Sequence, residues 1–186
     1  MTKPRSYPYL NKGDILLTAN PMWIGRLINW VQTFNSKDNQ SRYSHAGVIL
    51  NEQGRTFEAL WTNKQQDLFD AYQGKQILIA RNNLMTHNKF ETGWNGIKRH
   101  EGKIYAGHRL LLFLICPPLT KYFCLGFGVC SELTMKFLCR AGLAKTWKGW
   151  NPDDIDDMVR EHREYTIIFE GICPQRNNQI SHEGNQ

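Results

Sequence analysis

Residues 45–61, HAGVILNEQGRTFEALW, limit the possible folds more than any other stretch of the chain. The run 45–50 is short, apolar and rich in β-formers. Asn51-Glu52-Gln53-Gly54 makes a turn. The run 55–61 then alternates, with Phe57 and Ala59 on one face and Thr56, Glu58 and Leu60 on the other. The expected product is an antiparallel hairpin. GDILLT (13–18), QILIAR (76–81) and YTIIFEG (165–171) read as further strands.

Helical periodicity appears elsewhere. MWIGRLINWVQTF places Trp23, Leu27, Trp30, Val31 and Phe34 on one face. Helices are also expected over about 91–100 and 106–115. After Cys130, the residues Ser131 and Glu132 suit a first turn, Leu133, Phe137, Leu138 and Ala141 form an apolar stripe, and Gly142 is a natural stop. NPDDIDDMVR (151–160) opens another helix, with Pro152 at its start and acids in its first turn. Strands mixed with helices, without an internal repeat or dividing linker, predict one α+β domain over 1–173. The remainder, 174–186, reads as a polar, disordered tail. The stretches 18–44, 62–75 and 82–104 are the expected loops around any cleft.

Lys and Arg number 23 against 17 Asp and Glu, a net charge of +6. That excess suits an anionic partner, yet the positive residues are scattered along the chain, so a solvated basic surface accounts for them as well. No nucleic-acid-binding motif is present. The N-terminus lacks an apolar signal region, and LLLFLIC (110–116) is stopped by Pro117-Pro118, too short to span a bilayer. Five cysteines, an odd number with no CxxC pair or zinc-type spacing, argue for a reducing compartment and against a disulfide framework or structural metal. A cytoplasmic protein without cofactor is the expectation, with export or viral origin open.

CLGFGVCSELTMKFLC (124–139) holds three of those cysteines. Cysteine is among the most buried residue types, so packing is the default role. Cys130 departs from it because a thiol at a helix N-terminus faces unpaired backbone N–H groups and the positive end of the macrodipole, which favour the thiolate. Gly126 and Gly128 before it permit close approach. Cys116, Cys124, Cys139 and Cys173 lack that placement. A cysteine nucleophile needs an imidazole partner. His87, His100, His108, His162 and His182 lie in polar surroundings, whereas His45 begins an apolar strand directly after a Ser/Tyr/Ser loop. Glu58, on the next strand, faces His45 or nearly so if the turn closes in simple register, and a carboxylate there can hold the imidazole's second nitrogen.

The order GDILL, SHAGVIL, FEA, IY, CSEL resembles the circularly permuted, NlpC-type papain-like cysteine hydrolases of the YiiX/YebB-like group, over roughly residues 13–170. The resemblance implies an antiparallel sheet packed on the helix that carries the nucleophile. It also implies Cys130 as nucleophile, His45 as base and Glu58 as the residue orienting the histidine. Tyr105, in EGKIYAGH, matches a tyrosine these proteins place near the active site, although Ala106 stands where an acid usually follows; otherwise Tyr105 reads as a half-buried aromatic.

Three functions compete on these residues. The first is a thiol hydrolase of a peptide or peptidoglycan-like amide bond. The second is a lipid acyl hydrolase or acyltransferase like lecithin–retinol acyltransferase, whose second histidine and Asn-Cys-Glu-His signature are absent here. The third is a non-catalytic binding module that uses the basic charge.

Overall fold

The computed structural model describes residues 9–19, 42–60, 62–103 and 129–176. The elements, in chain order, are β1 (Ile15–Thr18), β2 (His45–Ile49), β3 (Arg55–Ala59), β4 (Asn63–Asp67), α1 (Leu68–Tyr72), β5 (Gln76–Asn82), α2 (His87–Ile97), a 3-10 turn (Lys98–His100), α3 (Val129–Arg140), α4 (Pro152–Glu161) and β6 (Tyr165–Ile172). The strands form one antiparallel sheet in the order β4-β3-β2-β1-β5-β6. The α+β class and the hairpin at 45–61 are therefore present. The expected helices over 22–34 and 106–115 lie outside the described residues, as does Tyr105.

Period-2 alternation divides the core. Ile15, Leu17, Ala46, Val48, Phe57, Ala59, Leu78 and Ala80 pack one sheet face against α2, α3 and α4. Leu16, Ile49, Ile77 and Ile79 pack the other face against α1 and Cys173. Helices α2 and α3 approach closely because Gly93 has no side chain; a Cβ there would lie 2.7 Å from the Phe137 ring.

Two corrections concern the expected loops. The stretch 62–75 contains β4 and α1, with Asp67 capping α1 through bonds from the N–H groups of Phe69 and Asp70. NKQQD pairs residue by residue with β3 although it has no apolar alternation, because it is an edge strand and backbone hydrogen bonds recruit it without an apolar face. Within 82–104, α2 starts at His87, where the Thr86 hydroxyl caps Lys89 N–H; it begins earlier than the apolar periodicity suggests. The segment expected as a tail is held at Arg176, which pairs with Asp67 at 3.0 Å and donates to the Gln53 carbonyl at 3.1 Å. Residues 177–186 lie outside the described residues.

Candidate active site

Three side chains far apart in sequence meet at the start of β2. Cys130 lies in the first turn of α3, His45 is the first residue of β2, and Glu58 is near the end of β3. The imidazole hydrogen-bonds the Cys130 thiol, and its Nε2 lies 2.6 Å from a Glu58 carboxylate oxygen. With Nε2–H donated to Glu58, Nδ1 is the nitrogen left for the thiol. The sulfur also accepts hydrogen bonds from the backbone N–H groups of Ala46 and Ser131. The Ser131 hydroxyl, in turn, donates to the Trp150 carbonyl at 2.6 Å and ties the head of α3 to the segment before α4. That segment is fixed by a reciprocal capping box between Asn151 and Asp154.

Register explains how Glu58 reaches the histidine. The residue opposite Glu58 is Gly47, so carboxylate and imidazole meet along a diagonal of the hairpin rather than straight across it. Gly47 leaves the diagonal open. A Cβ on it would lie 2.6 Å from Glu58 Cγ and 3.2 Å from Cδ. Glu58 is fully buried and bonded at both oxygens, so it has nowhere to retreat. Gly47→Ala is expected to cost about 1–3 kcal/mol of stability in urea unfolding and to slow alkylation of Cys130, because the displaced carboxylate loses its grip on His45.

Burial opposes charge on all three groups, and their mutual contacts overcome it. Burial would lower the His45 pKa, but the Cys130 thiolate and Glu58 push it up to about 10. Burial would raise the Cys130 thiol, but the imidazolium and the N–H groups of Ala46 and Ser131 bring it below the ordinary thiol value. Glu58 is held low against its burial by His45, Thr56 and Tyr72. Both shifts favour an imidazolium–thiolate pair backed by a carboxylate. Cys130 keeps 7% and His45 6% of their surface exposed, whereas Glu58 keeps none, so contact with solvent falls to the sulfur and the ring.

The residues around Glu58 are absent from the sequence-level expectation. One oxygen accepts from the Thr56 hydroxyl at 2.5 Å and from the Gln66 amide at 2.9 Å; the other accepts from His45 and from the Tyr72 hydroxyl. Gln66 also donates to Tyr72 oxygen at 3.2 Å. A carboxylate has about four acceptor positions, and here all are used. Gln66 and Tyr72 come from β4 and α1, the stretch read as a loop, so no sequence signal marks them. Gly47 does leave one, since an isolated glycine in a strand points to close approach.

Tyr72 gives its hydroxyl hydrogen bond to the carboxylate, and acts through Glu58. Tyr72→Phe keeps the ring and deletes one donor to the carboxylate. The Glu58 pKa then rises, the imidazolium loses its counter-charge at a higher pH, and the acid limb of the Cys130 alkylation profile moves upward. A stopped-flow alkylation series across pH reads the shift directly.

No family model and no curated protein sequence matches the chain. Among solved structures it is similar to metalloprotein YiiX from Escherichia coli O157:H7, with a TM-score of 0.58 and 16% identity over 88% of this chain and 98% of that one. The fold is YiiX-like. That likeness covers the sheet and its helices and carries no activity with it. Although YiiX is named as a metalloprotein, no group of three or more His, Cys, Asp or Glu among the described residues of this chain is arranged to hold a metal ion. His45 Nε2 is already bonded to Glu58, whose acceptor positions are filled, so these residues do not fit a metal and no step below passes through one. Among the described residues, no helix is long and apolar enough to cross a membrane.

Proposed function

We propose that the chain is a thiol hydrolase of circularly permuted, papain-like design that cleaves an amide bond, of peptide or peptidoglycan type, through a thioester on Cys130. The observation that carries this reading is the unbroken hydrogen-bonded line from the Cys130 sulfur through His45 to Glu58, with the sulfur at a helix start. The thiolate attacks the carbonyl carbon, and the tetrahedral oxyanion is received by backbone N–H groups at the head of α3. His45, protonated at rest, gives its proton to the departing amine as the C–N bond breaks. It then takes a proton from water, which attacks the thioester and returns the free thiolate–imidazolium pair. Glu58 keeps the imidazole in one tautomer and orientation throughout.

The test is covalent trapping. The protein is incubated separately with peptide amides, muropeptides and phospholipid vesicles, and its intact mass is followed. The expected result is an acyl adduct that maps to Cys130, is released by hydroxylamine, and forms with an amide substrate but not in Cys130→Ser. Adducts formed from the phospholipid alone would assign the acyl-lipid chemistry instead. Absence of both adduct and turnover with every substrate, from protein whose Cys130 still alkylates, would remove the hydrolase reading.

A further inference from the structure

A second concentration of charge lies along α3, away from the thiol. Lys136 follows Cys130 by six positions, about 9 Å of helix rise and on a different side of the helix. Its Nζ lies 3.0 Å from Nε2 of His100, the last residue of the 3-10 turn, and 5.2 Å from the Trp147 ring centroid. Lys148 stands 5.6 Å from the same ring. Arg140, one turn beyond Lys136, lies across Gly96 of α2, where an added Cβ would meet Arg140 Cγ at 2.6 Å. Arg99 and Lys103 flank His100 in sequence and are exposed.

Among the described residues, cations outnumber acids in this group. The ion pairs of the described residues use His45, Arg81, Arg160, His162 and Arg176, and none uses this group. Glu132, one turn before Lys136, is the acid that offsets its neighbours' effect on that lysine, and Glu101 accepts from Gln65 at 3.0 Å. Residues 104–128, which join this turn to α3, contain His108, Arg109 and Lys121 and no Asp or Glu. Burial and then Lys136, Lys103 and Arg99 lower the His100 pKa; burial and then Arg99, Arg140 and Lys103 lower that of Lys136. The Lys136 ammonium therefore donates to a neutral His100 ring, and Lys136 and Arg140, like charges one helical turn apart, favour an anion beside them.

We propose that Lys136, Arg140, His100 and Arg99, walled by Trp147, form a binding site for a phosphoryl group. Lys136 and Arg140 from α3 and Arg99 from the 3-10 turn lie close enough to act on one another electrostatically, with the His100 ring bonded to Lys136, which suits a multiply charged tetrahedral anion. The arginine forks supply paired donors and the lysine a movable point charge. The indole adds a flat wall already used by two ammonium groups. A free phosphate ester and a phospholipid headgroup offer this chemistry equally.

Calorimetric titration with inorganic pyrophosphate, at matched ionic strength, is run beside co-sedimentation with phosphatidylglycerol and with phosphatidylcholine vesicles. The His100 ring resonance is followed by NMR in the same samples. Pyrophosphate binding that raises the His100 titration midpoint, and that weakens at least about tenfold in Lys136→Gln/Arg140→Gln, supports the site with a soluble phosphate as ligand. Binding to phosphatidylglycerol but not phosphatidylcholine vesicles, with the same dependence on the two residues, supports it with a headgroup as ligand. A double variant that binds like the parent, or no binding of either probe, overturns it. Cys130 alkylation stays unchanged in the double variant, so this outcome is independent of the hydrolase reading.

Discussion

Replacing His45 with alanine strips Cys130 of its thiolate at neutral and acid pH. Without the imidazolium, the thiol returns to an ordinary pKa of about 8.5 or higher, at which roughly 0.3% is ionised at pH 6. In the parent protein the pair holds the thiolate against burial. The thiolate fraction at pH 6 is therefore expected to fall. Part of that loss is offset because a more basic thiolate is intrinsically more nucleophilic, and iodoacetamide capture slows. The rise of rate with pH should lie at higher pH in the variant than in the parent. An alanine variant that alkylates like the parent would falsify the pairing. The same pair shapes stability. The raised His45 contributes fully below its unfolded pKa of about 6.5 and loses that contribution as pH rises toward about 10. The lowered Cys130 contributes fully above its unfolded pKa of about 8.5 and loses that contribution as pH falls. Between about 6.5 and 8.5 the two slopes cancel, because folded and unfolded pairs carry equal numbers of protons. Urea midpoints, corrected by a His45→Ala/Cys130→Ala reference, should form a plateau in that window and fall on both sides by up to about 1.4 kcal/mol per pH unit.

Glu58→Gln is expected to produce the largest loss of stability, about 3–5 kcal/mol. The change keeps the side chain's shape but sets an amide NH2 among four donors and removes one of the two counter-charges of the buried imidazolium. Domains of this kind are stable by about 5–15 kcal/mol in total, so the loss removes a large share of the parent's stability. Chemical denaturation at pH 7 measures the loss. The sign with pH is set by the depressed Glu58 pKa: its contribution is present above the unfolded value of about 4.3 and disappears as pH falls through the folded value, so parent and variant converge in acid. A cycle with Tyr72→Phe should show coupling of about 0.5–3 kcal/mol, since both act on one carboxylate. Strict additivity would mean that Tyr72 does not act through Glu58.

The hairpin and the nucleophile helix were legible because each carries its signal in consecutive residues. Phe57 and Ala59 alternate with Thr56 and Glu58 on the pleat, and Leu133, Phe137 and Leu138 recur at helical spacing beside Cys130. The same signals proposed His45 and Glu58 as a pair. Their actual relation, diagonal across Gly47, depends on a register that turn length alone left ambiguous by two positions. β4 stayed hidden because NKQQD is bound by backbone hydrogen bonds, which any residue but proline can donate. Tyr72 stayed hidden with it, as five residues of helix make too little periodicity to read.

By itself the chain's order of residues determined β2, β3 and α3 and the chemical type of each central group: a thiol before an apolar helical stripe, an imidazole opening a strand, a carboxylate on the strand that follows. Tertiary structure alone decided that the imidazole stands between the other two, and that Thr56, Gln66 and Tyr72 close around the carboxylate. It also decided that the Lys136 ammonium meets the His100 ring away from the thiol. Local patterns record which face a residue presents. Protonation state depends on what is packed within a few ångströms, and here those neighbours come from segments tens of residues apart.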